Sequence, residues 1–463
     1  MSQPVEQVLT VAAMRAAEAA LIAGGSDVDA LMQIAGRGAA EWVWRVGGHL
    51  PVTVLCGPGN NGGDGYVIAE AIRTRGGTVQ VIAAAEPATI AAKNARALYH
   101  GPVLSTDAEA YGEVLVDCLF GSGLTRPLDP AHALLLGGLA ERHPRRIAID
   151  LPSGISADSG APLNPGLPDY LLTVALGAWK PAHFLMPAAA TMGALRLVDI
   201  GCAAAACAPG VIARPRLAPP AADAHKYTRG LLAVIGGAMP GAAQLACLAA
   251  MHAGAGYVRL LADIAGPVTP DLVVDASPVS EALADRRIAA LLVGPGLGRD
   301  ETARWRLAVA LAAGAPVVLD ADALALLHPG EVHAQAVATP HVGEFAALET
   351  SFGLSGEGTR LERTRALAAA SRMTIIAKGP DTIVAAPDGR SAMAHRASSW
   401  LATAGTGDVL AGIVASRLAA GAESFVAACE GVWLHGEAAR LAGPAFTAAG
   451  LAGHVAAALA ECL

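Results

Sequence analysis

The chain has few lysines, no paired-cysteine motif and no excess of positive charge, and each shortage narrows what it can do. Within 32 Lys plus Arg, only Lys93, Lys180, Lys226 and Lys378 are lysine. Where arginine is the default cation, a retained lysine marks a place that wants a compact ammonium rather than a planar fork. The seven cysteines are scattered, without CxxC or metal-type spacing, and are expected as small buried residues in a reducing cytoplasm. A net charge of −8 and a pI near 5.9 argue against nucleic acid as the main partner. No Gly-Lys pair occurs anywhere, which excludes a Walker-type phosphate loop. The opening MSQPVEQVLT lacks a basic segment followed by an apolar core, so no secretory leader is expected. Mean hydropathy is +0.46, yet the most apolar stretch, residues 230–258, is broken by glycines, Pro240, Gln244 and His252. A spanning helix needs about 20 mostly apolar residues, so no membrane partner is expected.

What is present is alternation. Val8, Met14, Ala17 and Leu21 predict an N-terminal helical segment. VTVLCG, TVQVIAA, EVLVDCLFG, RIAIDLPSG, YLLTVALG and LRLVDIG then read as strands of a parallel sheet covered on both faces. YVIAEAIRTRG, TIAAKNARALYH and HALLLGGLAERH are long enough to be crossover helices. Residues 202–222, rich in proline and small residues, read as a linker. A second series follows in GLLAVIGG, YVRLLAD, AALLVGPG, APVVLDA, AVATPH and MTIIAKG, with a hairpin turning at Asp388-Gly389 and a helical end from Gly405. Two α/β domains are expected, residues 1–201 and 223–463.

GPGNNGGDG, residues 57–65, packs five glycines and two asparagines after the first strand. It reads as a turn whose amides can approach an anion. Ligands of open parallel sheets bind at the carboxyl ends of strands. Other strand ends in this half carry Asp117, then Gly121-Ser122-Gly123-Leu124-Thr125-Arg126-Pro127, and then Asp150-Leu151-Pro152-Ser153-Gly154. Any one glycine loop is more often a plain turn; jointly they predict a phosphate-containing ligand. Asn61, Asp117 and Ser153 are oxygen donors suited to a hard, weakly held cation. Asp150 can exchange a proton with a substrate, or cap a turn.

PGNNGGDG, VDCLFGSGLTRPL and AIDLPSGISADSG resemble the NAD(P)H-hydrate epimerase family over residues 1–201. The resemblance implies a Rossmann-like αβα sandwich. It implies that Asn60, Asn61, Gly62, Gly63 and Asp64, the run Gly121, Ser122, Gly123, Leu124, Thr125, Arg126 and Pro127, and Asp150 line the hydrated nicotinamide nucleotide. Asn61, Asp117 and Ser153 would hold K⁺, and Asp150 would be the acid/base that interconverts the R and S hydrates at C6. Lys180, in ALGAWKPAH, stands at another strand end and reads equally as a nucleotide contact or a surface lysine.

GTGD, residues 405–408, precedes the apolar helix VLAGIVASRLAAG. The Thr406, Gly407 and Asp408 amides are therefore expected at a positive helix end, suited to a transferred phosphoryl group, with Asp408 accepting a hydroxyl proton. A glycine loop with an Asp cap is the plainer alternative. GPGLG (294–298), VVLDADAL (317–324), ATPHVGEF (338–345) and AKGPDT (377–382) accompany it. In that order they resemble the ribokinase-like superfamily and, more narrowly, ADP- or ATP-dependent NAD(P)H-hydrate dehydratase over residues 223–463. His225-Lys226 and AGAG (253–256) fit the same family. The resemblance implies a ribokinase-like αβα domain in which Lys378, Gly379, Pro380, Asp381, Thr382 and Gly407 contact the adenine nucleotide. Ala242, Gly296, His341 and Asp408 would contact the hydrate. Two places depart from the family: Tyr227 follows His225-Lys226 where glycine is usual, and SSWLATA (398–404) precedes GTGD.

Together the two resemblances imply a bifunctional repair enzyme, an isomerase joined to a lyase. Its substrates would be the hydrates NADHX and NADPHX with ADP or ATP as co-substrate, K⁺ in the first domain and Mg²⁺ in the second. A cytoplasmic homo-oligomer is expected. The rival is a vitamin or sugar kinase with an N-terminal nucleotide-sensing domain, which leaves the motifs of the first half without chemistry.

Overall fold

The structure, a computed structural model, describes residues 6–110, 112–263, 268–332 and 335–463. The first five residues of MSQPVEQVLT lie outside them. The chain forms two compact units, Met1–Gly210 and Val211–Leu463.

In the first unit, α1 (Val11–Ala23) and α2 (Val28–Gly47) precede a seven-stranded sheet. Its strands are β1 (Val52–Cys56), β2 (Val79–Ala83), β3 (Val103–Leu104), β4 (Val114–Cys118), β5 (Arg145–Ile149), β6 (Leu172–Leu176) and β7 (Ala194–Val198). They lie in the order β3-β2-β1-β4-β5-β6-β7, and every neighbouring pair is parallel. Helices α3 (Asn60–Thr74), α4 (Ile90–Leu98) and α5 (Pro130–Arg142) are the crossovers, and Thr89 and Asp129 cap the last two. Strands β1, β4 and β6 are buried throughout, which explains their unbroken apolar runs. The strand order reverses between β1 and β4, which puts a switch-point crevice at their carboxyl ends.

GPGNNGGDG is not the loop that its glycines suggest: α3 begins at Asn60, so NNGGDG is helical. The glycines serve close packing. A Cβ on Gly62 would stand 1.9 Å from the Gly57 carbonyl oxygen, and one on Gly65 2.7 Å from Cys56 Sγ. On the other face, a Cβ on Gly63 would meet the Met32 thioether of α2 at 2.6–2.7 Å. A side chain at these positions would push the helix off its sheet and its neighbour.

The second unit is built on a ten-stranded sheet ordered β11-β10-β9-β12-β13-β14-β15-β16-β17-β8. Its strands are β8 (Gly210–Val211), β9 (Leu231–Ile235), β10 (Tyr257–Leu261), β11 (Val273–Asp275), β12 (Ile288–Val293), β13 (Val317–Leu319), β14 (Ala336–Ala338), β15 (Thr374–Ala377), β16 (Ile383–Ala385) and β17 (Ser391–Met393). β9 to β15 pair in parallel, while β16 and β17 form the antiparallel hairpin around Gly389. The helices are α6 (Pro240–His252), α7 (Val279–Ala282), α8 (Glu301–Ala312), α9 (Asp322–Leu326), α10 (Val342–Ser351), α11 (Arg360–Ser371), α12 (Thr406–Ala419), α13 (Ser424–Ala442) and α14 (Ala448–Ala460). Buried alanines such as Ala246, Ala250, Ala411 and Ala415 form the core between α6, α12 and the sheet. The alanine content that raised the mean hydropathy is thus helix-packing surface. Among the described residues no helix is long and apolar enough to cross a membrane.

Residues 202–222 are laid along the two units rather than free. Gln7 donates to the Ala203 carbonyl and accepts from the Ala205 amide, each at 2.8 Å. Further on, Ile212 N–H donates to Met393 O (2.9 Å) and Leu217 N–H to Cys462 O (2.8 Å).

Candidate functional sites

In the first unit, β1, β4, β5 and β6 are neighbours and parallel, so the segments leaving their carboxyl ends share one rim. Asp150 leaves β5 with φ +66°, left-handed backbone that costs a residue with a Cβ about 1–3 kcal/mol and is concentrated at functional sites. Its carboxylate accepts from Ser122 N–H at 2.9 Å and from the Lys180 ammonium. Burial alone would raise the Asp150 pKa; the Lys180 charge, its hydrogen bond and the Ser122 amide outweigh that and hold it below the usual carboxylate value. Gly121 allows this approach, since a Cβ there would lie 2.9 Å from Asp150 Oδ2 and 3.2 Å from Asn61 Cγ.

Lys180 is not a surface lysine. It is 1% exposed, and Nζ also donates to the Leu176 carbonyl at 2.7 Å. Three residues on, His183 Nδ1 accepts from Lys180 N–H and Nε2 donates to the Asp150 carbonyl, each at 2.8 Å. Burial, and then the Lys180 charge, push the His183 pKa down to about 4, so this imidazole is neutral. Asp64, on the second turn of α3, is buried, and its pKa is pushed well above the usual range by burial and then by Asp150 and Glu18.

Asp117 and Ser153 meet. Asp117 accepts from Ser153 N–H (3.0 Å), Ser153 Oγ (2.7 Å), Leu119 N–H (3.1 Å) and Tyr170 OH (2.5 Å). Ser153 Oγ stands 3.1 Å from the Phe120 carbonyl oxygen. Carboxylate, hydroxyl and carbonyl thus form an all-oxygen set of the type that fits a hard cation. Asn61 bonds to other neighbours. With its amide turned to satisfy both neighbours, it donates to Ile149 O (3.2 Å) and accepts from Gly121 N–H (3.3 Å). Asn60 is exposed at the helix start and accepts from Thr89 Oγ1 at 2.7 Å. Thr125, Arg126 and Pro127 form the exposed outer part of the loop, and Leu124 is folded inward.

The second unit repeats the logic on different residues. At the carboxyl end of β13, Asp320 is 2% exposed and accepts from Lys378 Nζ (2.7 Å) and Thr339 Oγ1 (2.6 Å). Lys378, leaving β15, is brought to the start of α12: a Cβ on Gly407 would lie 3.3 Å from its Nζ. Asp408 sits in the first turn of that helix, and burial, followed by the Asp320 charge and opposed by Lys378, pushes its pKa up to about 6. Behind the turn, His435 on α13 bonds the Thr406 carbonyl at 2.9 Å, and Thr406 Oγ1 donates to the Leu401 and Thr403 carbonyls at 2.7 and 2.8 Å. The segment SSWLATA is therefore tied to the helix start, with Trp400 half-exposed.

Gly296 (φ +65°) lets the Met239 carbonyl approach, since a Cβ there would lie 2.1 Å from that oxygen. This brings the end of β12 against the start of α6, where Ala242 lies in the first turn. His341 follows β14 as the exposed N-cap of α10, with Nδ1 accepting from Gly343 and Glu344 N–H at 3.0 and 3.3 Å. Gly379, Pro380, Asp381 and Thr382 form the tight turn from β15 to β16. Thr382 Oγ1 donates to Gly379 O at 2.8 Å, and Asp381 pairs with Arg360 at 3.4 Å. Tyr227 belongs elsewhere. It packs on Tyr257, which opens β10, and on Arg287, which precedes β12, so it lies at the amino ends of the strands. Its departure from glycine leaves the carboxyl-end site untouched.

Sequence comparison agrees with the order of these motifs. The family profile described as YjeF-related protein N-terminus matches residues 28–182, and that of NAD(P)H-hydrate dehydratase matches residues 232–460. The bifunctional NAD(P)H-hydrate repair enzyme Nnr of Mycobacterium tuberculosis H37Rv is 35% identical over 439 residues, covering 90% of each chain. The chain belongs to the bifunctional NAD(P)H-hydrate repair enzymes. The Nnr of Mycobacterium leprae is 34% identical, with 93% of each chain covered. The solved ADP/ATP-dependent NAD(P)H-hydrate dehydratase from Bacillus subtilis, co-crystallized with ATP/Mg²⁺, is 28% identical with a TM-score of 0.47, covering 54% of this chain and 95% of that one. As in the family, a Rossmann-like and a ribokinase-like unit are joined.

Reading the sequence missed three residues, Asp320, His435 and His183, and the pairing of Lys180 with Asp150. The scarcity of lysine was the available signal for the last. Nothing local in sequence marks His435, whose partner is 29 residues away.

Proposed function

We propose that the rim of β1, β4, β5 and β6 interconverts the R and S hydrates of NADH and NADPH, and that the rim around Asp408 dehydrates the S form. Asp150 is the acid/base of the first reaction. Gly59 and Gly123, where a Cβ would meet nothing within 4 Å, leave room for the nucleotide, while Asn60, Asp64 and the Gly121–Pro127 loop border it. In the second site Asp408 takes the proton of the C6 hydroxyl as that oxygen attacks the terminal phosphorus of ADP or ATP. The helix-start amides and Lys378 face the charge on the transferred group. Loss of the C5 proton and departure of phosphate then restore the C5=C6 bond. Gly296, Ala242 and His341 border the hydrate, and Lys378 through Thr382 with Gly407 border the nucleotide.

K⁺ would sit at Asp117, Ser153 and the Phe120 carbonyl, joined by Asn61 if its amide oxygen turns inward, and would supply charge for the substrate's diphosphate. Among the described residues no three His, Cys, Asp or Glu side chains stand together as a metal cluster. A magnesium ion would therefore enter with the nucleotide, held largely by its phosphates and water. The seven free cysteines suit a reducing cytoplasm, and a homo-oligomer remains part of this reading.

The observation that carries the proposal is that two motif sets, scattered in sequence, converge on two separate strand-end sites, each pairing a lysine with a buried carboxylate. The test is purified NADHX, epimers resolved by chromatography, with ADP or ATP added and NADH absorbance followed. Both epimers should be consumed, with NADH formed in equal amount. Accumulation of a stable phosphorylated small molecule without NADH would favour a kinase.

A further inference from the structure

We propose that Lys180 is a positioning residue for epimerisation, fixing the Asp150 carboxylate through a buried ion pair; this rests on the reading of Asp150 as the acid/base. Lys180 is 1% exposed, and an ammonium taken that far from water needs partners in close geometry. Among the described residues it has two, the Asp150 carboxylate and the Leu176 carbonyl. The same segment clamps Asp150 from its other side, because His183 donates to the Asp150 main-chain carbonyl at 2.8 Å. Asp150 is thus gripped at carboxylate and backbone by residues 180–183, while Ser122 N–H holds the second carboxylate oxygen at 2.9 Å. A residue in left-handed backbone stays there only when its surroundings over-determine it, and these contacts do so.

The titratable groups facing the carboxylate are Lys180 and His183 beyond β6, Asp64 on α3 and Glu18 on α1. Among the described residues facing it, Lys180 is the one cation. Without it, burial and two carboxyl neighbours would all favour the protonated acid. The ion pair therefore keeps the base ready and correctly aimed, without Lys180 having to touch the substrate.

Lys180→Met in the full chain tests this, with R-hydrate as substrate and calorimetric unfolding of the full chain as the control of folding. The expected result is a kcat for epimerisation lowered by about 100-fold, the scale of a lost general base, with KM within about threefold. The acid limb of kcat should move up by a pH unit or more, since the carboxylate now ionises later. A raised KM with unchanged kcat would make Lys180 a binding contact and overturn the inference. So would a loss of kcat that is equal at every pH. If Lys180→Met fails to fold, the double variant Asp150→Asn, Lys180→Met should melt within a few degrees of wild type, because no unpaired buried charge remains; failure of that rescue also overturns it. Absence of epimerisation in the wild-type chain would instead count against the reading of the first site.

Discussion

At the scale of single residues, the proposed dehydration site turns on Asp408 and Asp320. If Asp408 is the base as proposed, its pKa of about 6 should give dehydration an acid limb near that pH, whereas epimerisation should show none there. Asp320→Asn removes the like charge and frees Lys378 to face Asp408, and both changes stabilise the Asp408 carboxylate. Its acid limb should therefore move to lower pH in a kcat–pH profile. Asp408→Asn should abolish dehydration and leave epimerisation intact, as NADH formation and epimer ratios would show. It should also stabilise the unit. A carboxyl whose folded pKa is raised binds more protons folded than unfolded, so its penalty is absent below about pH 4 and complete above about pH 6. After discounting for solvent screening, the gain at pH 7 is about 1 kcal/mol, or about 2–4 °C in Tm. A scanning-calorimetry gain at pH 7 that vanishes at pH 4 would bear this out.

Helix α3 shows at the next scale what glycine does here. Gly62→Ala would drive a Cβ into the Gly57 carbonyl at 1.9 Å, which is backbone and cannot yield, whereas Gly63→Ala meets the flexible end of Met32 and, at 3.1 Å, the Ala92 Cα. Overpacking of this kind costs about 1–3 kcal/mol. Gly62→Ala should fall at or above the top of that range and Gly63→Ala clearly below it, measured by denaturant unfolding. Epimerisation should fall with the first substitution, because α3 carries Asn60, Asn61 and Asp64. The helix's length was only half legible. Its apolar part after Gly65 has helical periodicity, but helix propensity counts against starting at NNGGDG. Packing against Cys56, Cys118 and Met32 overrides that propensity.

For the whole molecule, the two compact units divide between Gly210 and Val211, inside the segment 202–222 that reads as the linker. A fragment ending at residue 201 would lose the Gln7 contacts to Ala203 and Ala205, the Val8–Pro209 bond and buried Cys202. At about 1 kcal/mol for each net hydrogen bond, residues 1–210 should melt several degrees above residues 1–201. By the same logic, residues 211–463 should melt above residues 223–463, which lack Ile212 and Leu217. Each longer fragment should keep one activity. Equal melting of long and short fragments would show that the segment adds nothing.

The sequence by itself determined the strand-by-strand alternation, since buried parallel strands must be apolar on both faces, and it determined which strand ends carry polar and glycine residues. It also carried the family motifs from which Asp150 and Asp408 were read. Only the tertiary structure decided what surrounds those two carboxylates. Lys180 and Lys378 are remote from Asp150 and Asp320 along the chain, and each pair meets because its strands leave the same sheet edge. His341 became a helix cap and Tyr227 an amino-end packing residue for the same reason. Local sequence sets which groups are available, while strand order sets which of them face one another, and a carboxylate's ionisation depends on the groups it faces.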